Sequence, residues 1–377
     1  MMNNKFDIVV KNGTVIDTSQ GIHEHNDIAI THGRIADLRK GINVDMAKYV
    51  IDASGMIVTP GLIDLHVHCS NNITYLAIDP ETACLAKGCT TVLDAGSTGE
   101  LNFNGFKKYV IDTSKTRIYA LLNIESLGMI EFAKANQKWP ELIAGQDMMF
   151  INTEGTCKII NQNRKVILGI KWAHHGVEGL ALARKAADEA KCIIMAENHH
   201  QPECLKYLKK GDVVTHLYHS LRKQNDGLID TDGKIQPDFY DAKKRGVFFD
   251  LGHGARSFDW EVAENALRQG IVPDTLSSDL HVENVKGPVY DLPTTMSKLL
   301  LLGMSLDEVI EASTFTPAKV IDKNNMIGTL RIGTCADIAI FKLRKGKFHF
   351  VDMKGEVRIG RWKLMIKRVI RQGRIIV

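Results

Sequence analysis

The chain has 377 residues, of which 44% are hydrophobic and 24% are charged, and this globular composition excludes a disordered or collagen-like protein. Its 48 Lys and Arg against 44 Asp and Glu leave a net charge of +4, an excess too small for a dedicated nucleic-acid-binding protein. Its seven cysteines contain no Cys-x-x-Cys pair, which argues against a disulfide framework and a cysteine zinc site.

The N-terminal residues predict short β-strands. The β-branched run Phe6–Val10 leads into Asn12-Gly13, a pair that predicts a turn at the end of the strand. The strand candidates Asp27–Ile30 and Arg34–Leu38 flank His32-Gly33, which predicts a hairpin. The chain therefore begins with a β-rich region.

The middle of the chain predicts alternating strands and helices. The strand candidates are short apolar runs, most of which end in a polar side chain: Leu62–His66, Thr90–Asp94, Ile118–Asn123, Val166–Lys171, Cys192–Glu197, Val213–His216, Val247–Leu251 and Thr275–Asp279. The helix candidates include the Ala-rich Val177–Lys191 and a helix that Ser305-Leu-Asp-Glu308 opens as a capping box. Eight such strands over about 260 residues predict a (β/α)₈ TIM barrel. An open doubly wound sheet is the alternative, but no GxGxxG loop follows the first strand.

The C-terminal residues again predict β-structure. The run Asp337–Phe341 alternates weakly, and Gln372-Gly373 separates Arg368–Ile370 from Arg374–Val377. We therefore predict an α/β protein in which residues 1–58 and 325–377 form a small β-sandwich domain. Residues 59–324 would form the TIM-barrel domain.

Two histidines end the first barrel strand, in Pro60-Gly-Leu-Ile-Asp-Leu-His66-Val-His68. Residues two apart in a strand point to the same side, so His66 and His68 can bind one metal ion together. A His-x-His pair is weak evidence by itself, because two exposed loop histidines would give the same pattern. The other strand ends must decide between these interpretations.

Possible ligands or bases recur at the ends of predicted strands four, five, six and eight, where Lys171, Glu197, His216 and Asp279 stand and where His199 follows Glu197. These ends converge on one face of a barrel, and imidazole and carboxylate groups are typical zinc ligands. A buried Lys171 would carry a costly charge unless it is neutral, snorkels to the rim or is carboxylated by CO₂. A carbamate has two oxygens and can bridge two metal ions.

The strand-one segment resembles the first-strand signature of the amidohydrolase superfamily, and the resemblance extends over nearly the whole chain. Further segments are similar to its amidohydrolase/deacetylase branch, which lies near dihydroorotases and has members labelled adenine deaminase. These segments are Thr90-Thr-Val-Leu-Asp-Ala-Gly-Ser-Thr-Gly99, Gly169-Ile-Lys171, Gly211-Asp-Val-Val-Thr-His216, Phe249-Asp-Leu-Gly-His-Gly254, Gly287-Pro-Val-Tyr-Asp-Leu-Pro-Thr-Thr-Met296 and Gly328-Thr-Leu-Arg-Ile-Gly-Thr-Cys-Ala-Asp-Ile-Ala-Ile-Phe341.

The resemblance implies a site with two divalent metal ions, most often zinc. His66 and His68 would bind the more buried ion, carboxylated Lys171 would bridge both ions, and His216 would bind the second. Asp279 would contact the first ion and act as the general base. The family usually has a histidine at the end of strand five, where this chain has Met195-Ala-Glu197. Glu197 is the first substitute and His199 is the second.

The implied function is a metal-dependent hydrolase in which a hydroxide shared by two metal ions cleaves an amide or an ester. We expect deacetylation of a small N-acyl or O-acetyl acid. The alternatives are a cyclic-amide hydrolase of dihydroorotase type and an adenine or purine deaminase, against which Lys171 argues because such deaminases commonly use one metal ion. A metal-binding scaffold with a degenerate site is the non-enzymatic alternative.

Three residues are candidates for binding the substrate. Asn123 could donate to a substrate oxygen or brace a turn, and His253 could bind substrate or brace its loop, while Tyr290 lies in a loop on the same face. We expect a small-molecule substrate, no nucleic-acid or membrane partner and a homo-oligomer. The opening residues do not resemble a signal peptide, and the scattered cysteines suit a reducing compartment, so we expect a cytoplasmic protein.

Overall fold

A computed structural model describes residues 5–129, 148–173, 176–197, 202–220 and 227–377. The β-strands are β1 Phe6–Asp17, β2 Ile22–Thr31, β3 Arg34–Arg39, β4 Ala47–Asp52, β5 Ile57–Pro60, β6 Leu62–Val67, β7 Cys89–Ala95, β8 Arg117–Asn123, β9 Ile167–Trp172, β10 Ile193–Glu197, β11 Val213–Thr215, β12 Phe248–Phe249, β13 Ile338–Val351, β14 Val357–Arg371 and β15 Arg374–Ile375.

The α-helices of the described residues are α1 Pro80–Ala83, α2 Phe103–Tyr109, α3 Thr153–Gln162, α4 Val177–Ala190, α5 Pro237–Arg245, α6 Trp260–Arg268, α7 Leu292–Leu301, α8 Leu306–Glu311 and α9 Phe315–Val320. Short 3₁₀ helices lie at Thr18–Gln20, Val44–Met46, Leu85–Lys87, Ile111–Thr113, Met148–Phe150 and Glu203–Tyr207. The predicted capping box is present at the start of α8. Within the described ranges, no helix combines the length and apolar character needed to cross a membrane.

Strands β6 to β12 form a parallel sheet in which each strand pairs with the next one along the chain. Residues 275–280 complete the ring, because Asp250 bridges Thr275 and Val67 bridges Leu280, both in parallel. The backbone N–H of His68 also donates to the carbonyl of Leu280 at 3.0 Å. The predicted (β/α)₈ barrel is therefore confirmed.

The barrel strands bury apolar side chains on both faces. Val67, Val92 and Leu122 belong to a large apolar cluster that also contains residues of the surrounding helices. Leu65 and Leu93, from the same strands as Val67 and Val92, belong to a second buried cluster. Parallel strands that are covered on both faces have nearly continuous apolar sequences, which is why short apolar runs predict them.

The two ends of the chain meet in a second sheet, with the order β15-β14-β13-β5-β1-β2-β3. Strand β1 is a branch point, because its first half pairs in parallel with β4 and its second half with β5. Residues from both ends, including Val10, Ile28, Ile338 and Ile370, share one buried cluster. The exact residue boundaries of the two domains stay a prediction.

The turn predicted at Asn12-Gly13 is wrong. Strand β1 continues through this pair to Asp17, and its pairing with β2 shifts in register between Val10 and Gly13. Asn12 has a φ of 62°, so the residue that would begin a turn forms a bulge in the strand. The hairpin predicted at His32-Gly33 is present, and Gln372-Gly373 likewise joins two antiparallel strands.

Strands β13 and β14 form a hairpin that is much longer than the sequence predicts. Its outer part carries exposed cationic side chains and the exposed apolar Ile359 and Trp362. Residues 338–377 contain twelve Lys and Arg but two Asp and Glu, so the preceding 337 residues carry a net charge of −6 within the total of +4. The small net charge of the chain therefore hides a strong separation of charge.

Candidate metal centre

Three side chains from distant barrel strands meet in a buried cluster. His66 lies near the end of β6, His216 directly follows β11, and Asp279 lies in the segment that closes the barrel. One potential ligand atom from each residue lies within 4.8 Å of the other two. All three residues are buried, so the cluster has the donor atoms and the enclosure of a site for a divalent cation.

His68 joins this cluster through Asp279. The Nε2 atoms of His66 and His68 lie 3.3 Å and 3.2 Å from the same oxygen, Oδ1 of Asp279. The centroids of the two imidazole rings are 5.6 Å apart, with an angle of 69° between the ring planes. The His-x-His pair therefore points its Nε2 atoms at one place, as the strand alternation predicts.

Lys171 and Glu197 lie on the other side of His66 and His216. The Nζ atom of Lys171 is 3.1 Å from Nε2 of His66 and 3.2 Å from Oε1 of Glu197. The same Glu197 oxygen is 3.6 Å from Nε2 of His216. Lys171 is fully buried at the end of β9, and a side chain at Gly96 would collide with its stem, since a Cβ there would lie 2.5 Å from Cβ of Lys171.

Protein groups hold the Nδ1 atom of each histidine. Nδ1 of His66 lies 2.9 Å from Oγ1 of Thr215, which donates to Asp250, and Nδ1 of His68 lies 2.9 Å from Oγ of Ser97, which donates to Asp94. Because each hydroxyl proton goes to a carboxylate, the hydroxyl accepts from the imidazole, so Nδ1 carries the ring proton. Nε2 is then left with a lone pair toward the cluster, as metal-binding histidines require.

His216 is held in the same way by the backbone. Its Nδ1 donates to the carbonyl of Gly252 at 2.8 Å, which again leaves Nε2 facing the cluster. A Cβ at Gly252 would lie 2.2 Å from Oγ1 of Thr215 and 2.9 Å from Nδ1 of His216. A Cβ at Gly254 would lie 2.4 Å from Oδ2 of Asp279. The two glycines therefore leave room for the ligand candidates and their hydrogen-bond partners.

The backbone at two of the ligand candidates is strained. His216 and Asp279 have φ values of 60° and 49°, in the left-handed region that costs a non-glycine residue about 1 kcal/mol or more. Hydrogen bonds around them hold this conformation, and one of them runs from Nδ2 of Asn284 to the carbonyl of Asp279 at 2.7 Å. This backbone conformation lowers the stability of the fold, and it orients the side chains of the two residues toward the cluster.

The titratable groups of the cluster shift one another's pKa values. Burial and the nearby Lys171 ammonium lower the pKa of His66 well below its ordinary value, so this imidazole is neutral. Burial raises the pKa of Asp279, but His66, His216 and His68 outweigh that effect and lower the pKa below its ordinary value, so Asp279 is ionised. Burial lowers the pKa of His216, but the Glu197 carboxylate outweighs it and raises the pKa. A bound cation would take the place of protons that His216 otherwise holds.

The substrate-binding candidates differ in what they offer a ligand. Nδ2 of Asn123 donates to the carbonyl of Gly96 at 2.9 Å, and its Oδ1 accepts from the N–H of Glu125 at 3.0 Å, which favours the turn-bracing interpretation. His253 is fully buried with both ring nitrogens in hydrogen bonds, which favours the loop-bracing interpretation. Tyr290 is 43% exposed. His199 lies outside the described residues, and the roles of all these residues stay predictions.

Sequence reasoning missed His281, two residues after Asp279. Its ring lies 6.2 Å from the ring of His68, and its Nδ1 accepts from the N–H of Glu283 at 3.3 Å. Burial lowers the pKa of His281, so the ring is neutral and carries its proton on Nε2. A histidine that presents an N–H beside the cluster is a candidate donor to a substrate. Its position only two residues after Asp279 was the feature of the sequence that could have identified it.

Comparisons with known proteins agree with this geometry. The model of the amidohydrolase family matches residues 57–376. A deacetylase from Brucella anthropi is 36% identical over 340 residues, which cover 86% of this chain and 81% of that protein. A solved structure titled as an adenine deaminase is 31% identical, with a TM-score of 0.87 over 98% of this chain and 99% of that one. A solved dihydroorotase is also 31% identical, with a TM-score of 0.85 over 98% and 97% of the two chains. The chain belongs to the amidohydrolase family.

Proposed function

We propose that this protein is a metal-dependent deacetylase that hydrolyses the amide or ester bond of a small acylated acid. One observation carries the proposal: three buried histidines point their Nε2 atoms at carboxylates of the same cluster. The Nε2 atoms of His66 and His68 face Asp279, and that of His216 faces Glu197. The Nδ1 atom of each histidine is held by another group of the protein. Relatives named deacetylase, of which one is 36% identical, support the reaction class.

The donor set fits two divalent cations if Lys171 is carboxylated. An unmodified Lys171 ammonium touches both His66 and Glu197, and its positive charge would repel a cation bound by these groups. Carboxylation by CO₂ would replace this charge with an anion that has two oxygen ligands. Imidazole and carboxylate ligands together favour zinc. His66, His68, Lys171 and Asp279 would then hold one ion, and Lys171, Glu197 and His216 the other.

The chain's own residues would perform the proton transfers. Divalent cations in this site would supply Lewis acidity, which activates water and polarises the carbonyl of the substrate. Asp279 is ionised and would take the proton of the attacking water, then deliver it to the leaving nitrogen or oxygen. The Nε2–H of His281 would donate to an acidic group of the substrate. The buried surroundings strengthen each of these interactions.

A cyclic-amide hydrolase is the second candidate function. The solved dihydroorotase that is 31% identical to this chain supports it, and the same residues would cleave a ring amide by the same steps. Deamination of a purine has the support of the structure titled as an adenine deaminase. We propose that Lys171 bridges two cations between two histidines and Glu197. This position argues against a deaminase that uses a single cation.

The first experiment is metal content per chain by elemental analysis, for the wild type and Lys171→Ala grown with bicarbonate. We expect about two ions in the wild type and one or fewer in the variant. Lys243→Ala is the matched control, because Lys243 donates to the carbonyl of Val272 at 3.1 Å and contacts none of the proposed ligands. One ion in both the wild type and Lys171→Ala would contradict the bridge and favour the deaminase.

The second experiment identifies the bond that is cleaved. The metal-loaded protein is incubated separately with N-acetyl amino acids, O-acetylated hydroxy acids, dihydroorotate and adenine. Release of acetate supports the deacetylase, opening of the dihydroorotate ring supports the cyclic-amide hydrolase, and release of ammonia supports the deaminase. No turnover with any of them, despite two bound ions, would favour a metal-binding scaffold.

We also propose that the protein is a cytoplasmic homo-oligomer. All seven cysteines lie within the described residues and are free thiols, which suits a reducing compartment. Most soluble oligomers are symmetric assemblies of identical chains, with two-fold dimers the commonest. Light scattering coupled to size-exclusion chromatography would measure the mass in solution, and a mass of one chain would contradict the oligomer.

A further inference from the structure

A second buried lysine lies behind the metal centre. Lys298 stands in the last turn of α7, and its side chain is completely buried. Its Nζ lies 2.6 Å from Nε2 of His253, 3.0 Å from the carbonyl of Pro288 and 2.6 Å from the carbonyl of Val351. The three donor positions of the ammonium group are therefore all used, each by a different segment of the chain.

Burial of this lysine costs free energy. Burial lowers the pKa of Lys298 to about 7, with Lys363 adding to this effect and Asp352 opposing it. An apolar residue would fill the same space without that cost. What Lys298 provides and an apolar residue cannot is a set of directed hydrogen bonds, so its contacts indicate its role.

The hydrogen bond to His253 fixes this imidazole in one orientation. Nδ1 of His253 donates to the carbonyl of Gly254 at 2.9 Å, so its Nε2 accepts from Lys298. The ring also stacks on Phe258 with centroids 4.6 Å apart. His253 is thus held from one edge by Lys298 and from one face by Phe258, and it cannot rotate without breaking both contacts.

His253 in turn lies between the two glycines that contact the ligand candidates. The carbonyl of Gly252 accepts from His216, and Gly254 leaves the space that Asp279 occupies. The N–H groups of His253 and Gly254 donate to the carbonyls of Ser277 and Ser278, at 3.2 Å and 3.0 Å. The hydrogen bond from Nδ1 of His253 to the carbonyl of Gly254 therefore braces the backbone that lies against His216 and Asp279.

We propose that Lys298 is a positioning residue of the metal centre, which acts through His253 to hold the Gly252–Gly254 segment against His216 and Asp279. This inference rests on the proposed function, since it treats His216 and Asp279 as metal ligands. The hydrogen bonds of Lys298 go to His253, Pro288 and Val351, and to neither of these two residues. Its effect is to keep two candidate ligands at a fixed separation before a cation binds.

The same lysine connects the metal centre to the long C-terminal hairpin. Val351, whose carbonyl accepts from Lys298, is the last residue of β13. Next to it, the N–H of Met353 donates to the carbonyl of Phe258 at 2.9 Å, and Nε1 of Trp260 donates to the carbonyl of Glu356 at 3.1 Å. The tip of the hairpin is therefore fixed to the residues that follow His253, and Lys298 lies at this junction.

The test is Lys298→Met, which keeps an unbranched side chain only one atom shorter and removes its three donors. The affinity of the apo-protein for Zn²⁺ is measured by competition with a chelator, and the geometry of the site by the absorption spectrum of the Co²⁺-loaded protein. We expect an affinity about 10-fold weaker and a changed Co²⁺ spectrum, since partners behind metal ligands have effects of this size. Lys243→Met is the matched control, because Lys243 also donates to a backbone carbonyl and lies over an aromatic ring, at 5.1 Å from Phe249.

A second variant separates positioning from general stability. His253→Phe keeps the ring stacked on Phe258 but removes the acceptor for Lys298 and the donor to Gly254. If Lys298 acts through His253, the double variant loses no more Zn²⁺ affinity than the weaker-binding single variant. Losses that add in the double variant would show a separate structural effect and overturn the proposal. If Lys298→Met does not fold, His253→Phe tests the proposal by itself, because it removes the same hydrogen bond. An unchanged Zn²⁺ affinity in His253→Phe would then contradict the proposal.

The two proposals fail in different ways. A wild-type protein that binds no Zn²⁺ or Co²⁺ contradicts the proposed function. A wild-type protein that binds both ions, with Lys298→Met equal to it in affinity and spectrum, contradicts the positioning role alone.

Discussion

The two sides of the barrel mouth hold their polar side chains in different ways. On one side, β6, β11, β12 and residues 275–280 carry His66, His216 and Asp279, whose positions are set by hydroxyls, backbone carbonyls and close glycines. On the other side, Glu125 follows β8, Lys171 lies in β9 and Glu197 ends β10. Lys171 and Glu197 contact each other directly. We call these the first and the second side of the mouth.

The two sides therefore control different properties of the cluster: the first side fixes the positions of its side chains, and the second side fixes its charge. On the first side, the hydrogen-bond partners are protein groups that hold the Nδ1 atoms, on the edge of each histidine ring away from the cluster. On the second side, the sign of the charge depends on the chemical state of Lys171. In the proposed site, the first side would therefore provide a preorganised set of ligands, and the second side would decide whether the cluster attracts a second cation.

The largest effect is expected at Asp279, on the first side. Asp279→Asn keeps the size of the side chain and removes the negative charge that would accept a proton. We expect kcat/KM for the substrate found in the screen to fall by about 10³-fold, within the range for a general base. Asp112→Asn, at an exposed residue paired with Lys107, is the control and should leave kcat/KM unchanged. Activity within 10-fold of the wild type would exclude Asp279 as the base.

Gly252→Ala tests how tightly the first side is packed. The new methyl group would collide with Thr215 and His216, so we expect Zn²⁺ affinity to fall by about 10- to 100-fold. The packing strain should also lower the free energy of unfolding by about 1–3 kcal/mol. Gly21→Ala is the control, because Gly21 also has a positive φ, 65° against 49°, and no atom lies within 4 Å of the new methyl group, so this variant reports the backbone strain without a collision. Equal Zn²⁺ affinity in the two variants would show that the first side tolerates movement.

The second side can be tested through bicarbonate. Apo wild-type protein should take up about one more Zn²⁺ ion per chain in buffer with bicarbonate than in CO₂-free buffer, because uptake requires carboxylation of Lys171. Lys171→Glu carries a permanent carboxylate, so its metal content should not depend on bicarbonate. Elemental analysis after gel filtration measures both. If the wild type binds two ions in CO₂-free buffer, carboxylation of Lys171 is not needed for the second ion, and the proposed carbamate is contradicted.

The smallest effect is expected at Glu125, on the second side, and it is an increase in stability. Burial raises the pKa of Glu125 to about 7, with the N–H groups of Leu127 and Gly128 partly opposing it. Between pH 4.5 and 7 the folded state therefore binds more protons than the unfolded state, and stability falls as pH rises through this window. Glu125→Gln removes this loss.

We expect Glu125→Gln to be more stable than the wild type by on the order of 1–2 kcal/mol at pH 8, and nearly equal to it at pH 5. Urea denaturation at the two pH values measures the difference. Glu154→Gln, in the first turn of α3, is the control on a helix surface. A difference that is the same at pH 5 and pH 8 would rule out titration of Glu125 as its cause.

The sequence predicted the ring of strands and most of the proposed ligands for one physical reason. Buried parallel strands are short apolar runs, and a polar residue at the end of such a run, as His66 and Glu197 are, has to lie at the mouth. It could not predict Gly252 or Thr215 as partners of His216 and His66, because these contacts join separate strands. It also could not predict Lys298, which looks like an ordinary helix residue until the carbonyls of Pro288 and Val351 are brought to it.

The errors have a physical cause as well. Asn12-Gly13 has the composition of a turn, but pairing of β1 with β2, β4 and β5 keeps the chain extended on both sides of a bulge. The length of β13 and β14 was missed because their outer residues are largely charged, which hides the alternation that predicts a strand. In both places, partners distant in sequence decided the local structure.

The segment that closes the barrel has a consequence for the newly made chain. Val67 meets Leu280 across more than two hundred residues of sequence, and Asp279 arrives with that closing contact. During synthesis, His66 and His68 emerge long before Asp279, so the complete set of proposed ligands forms only after the last barrel residues have left the ribosome. Metal binding by the complete proposed site would therefore have to wait until nearly the whole barrel has been translated, so a bound metal would mark a barrel that has closed.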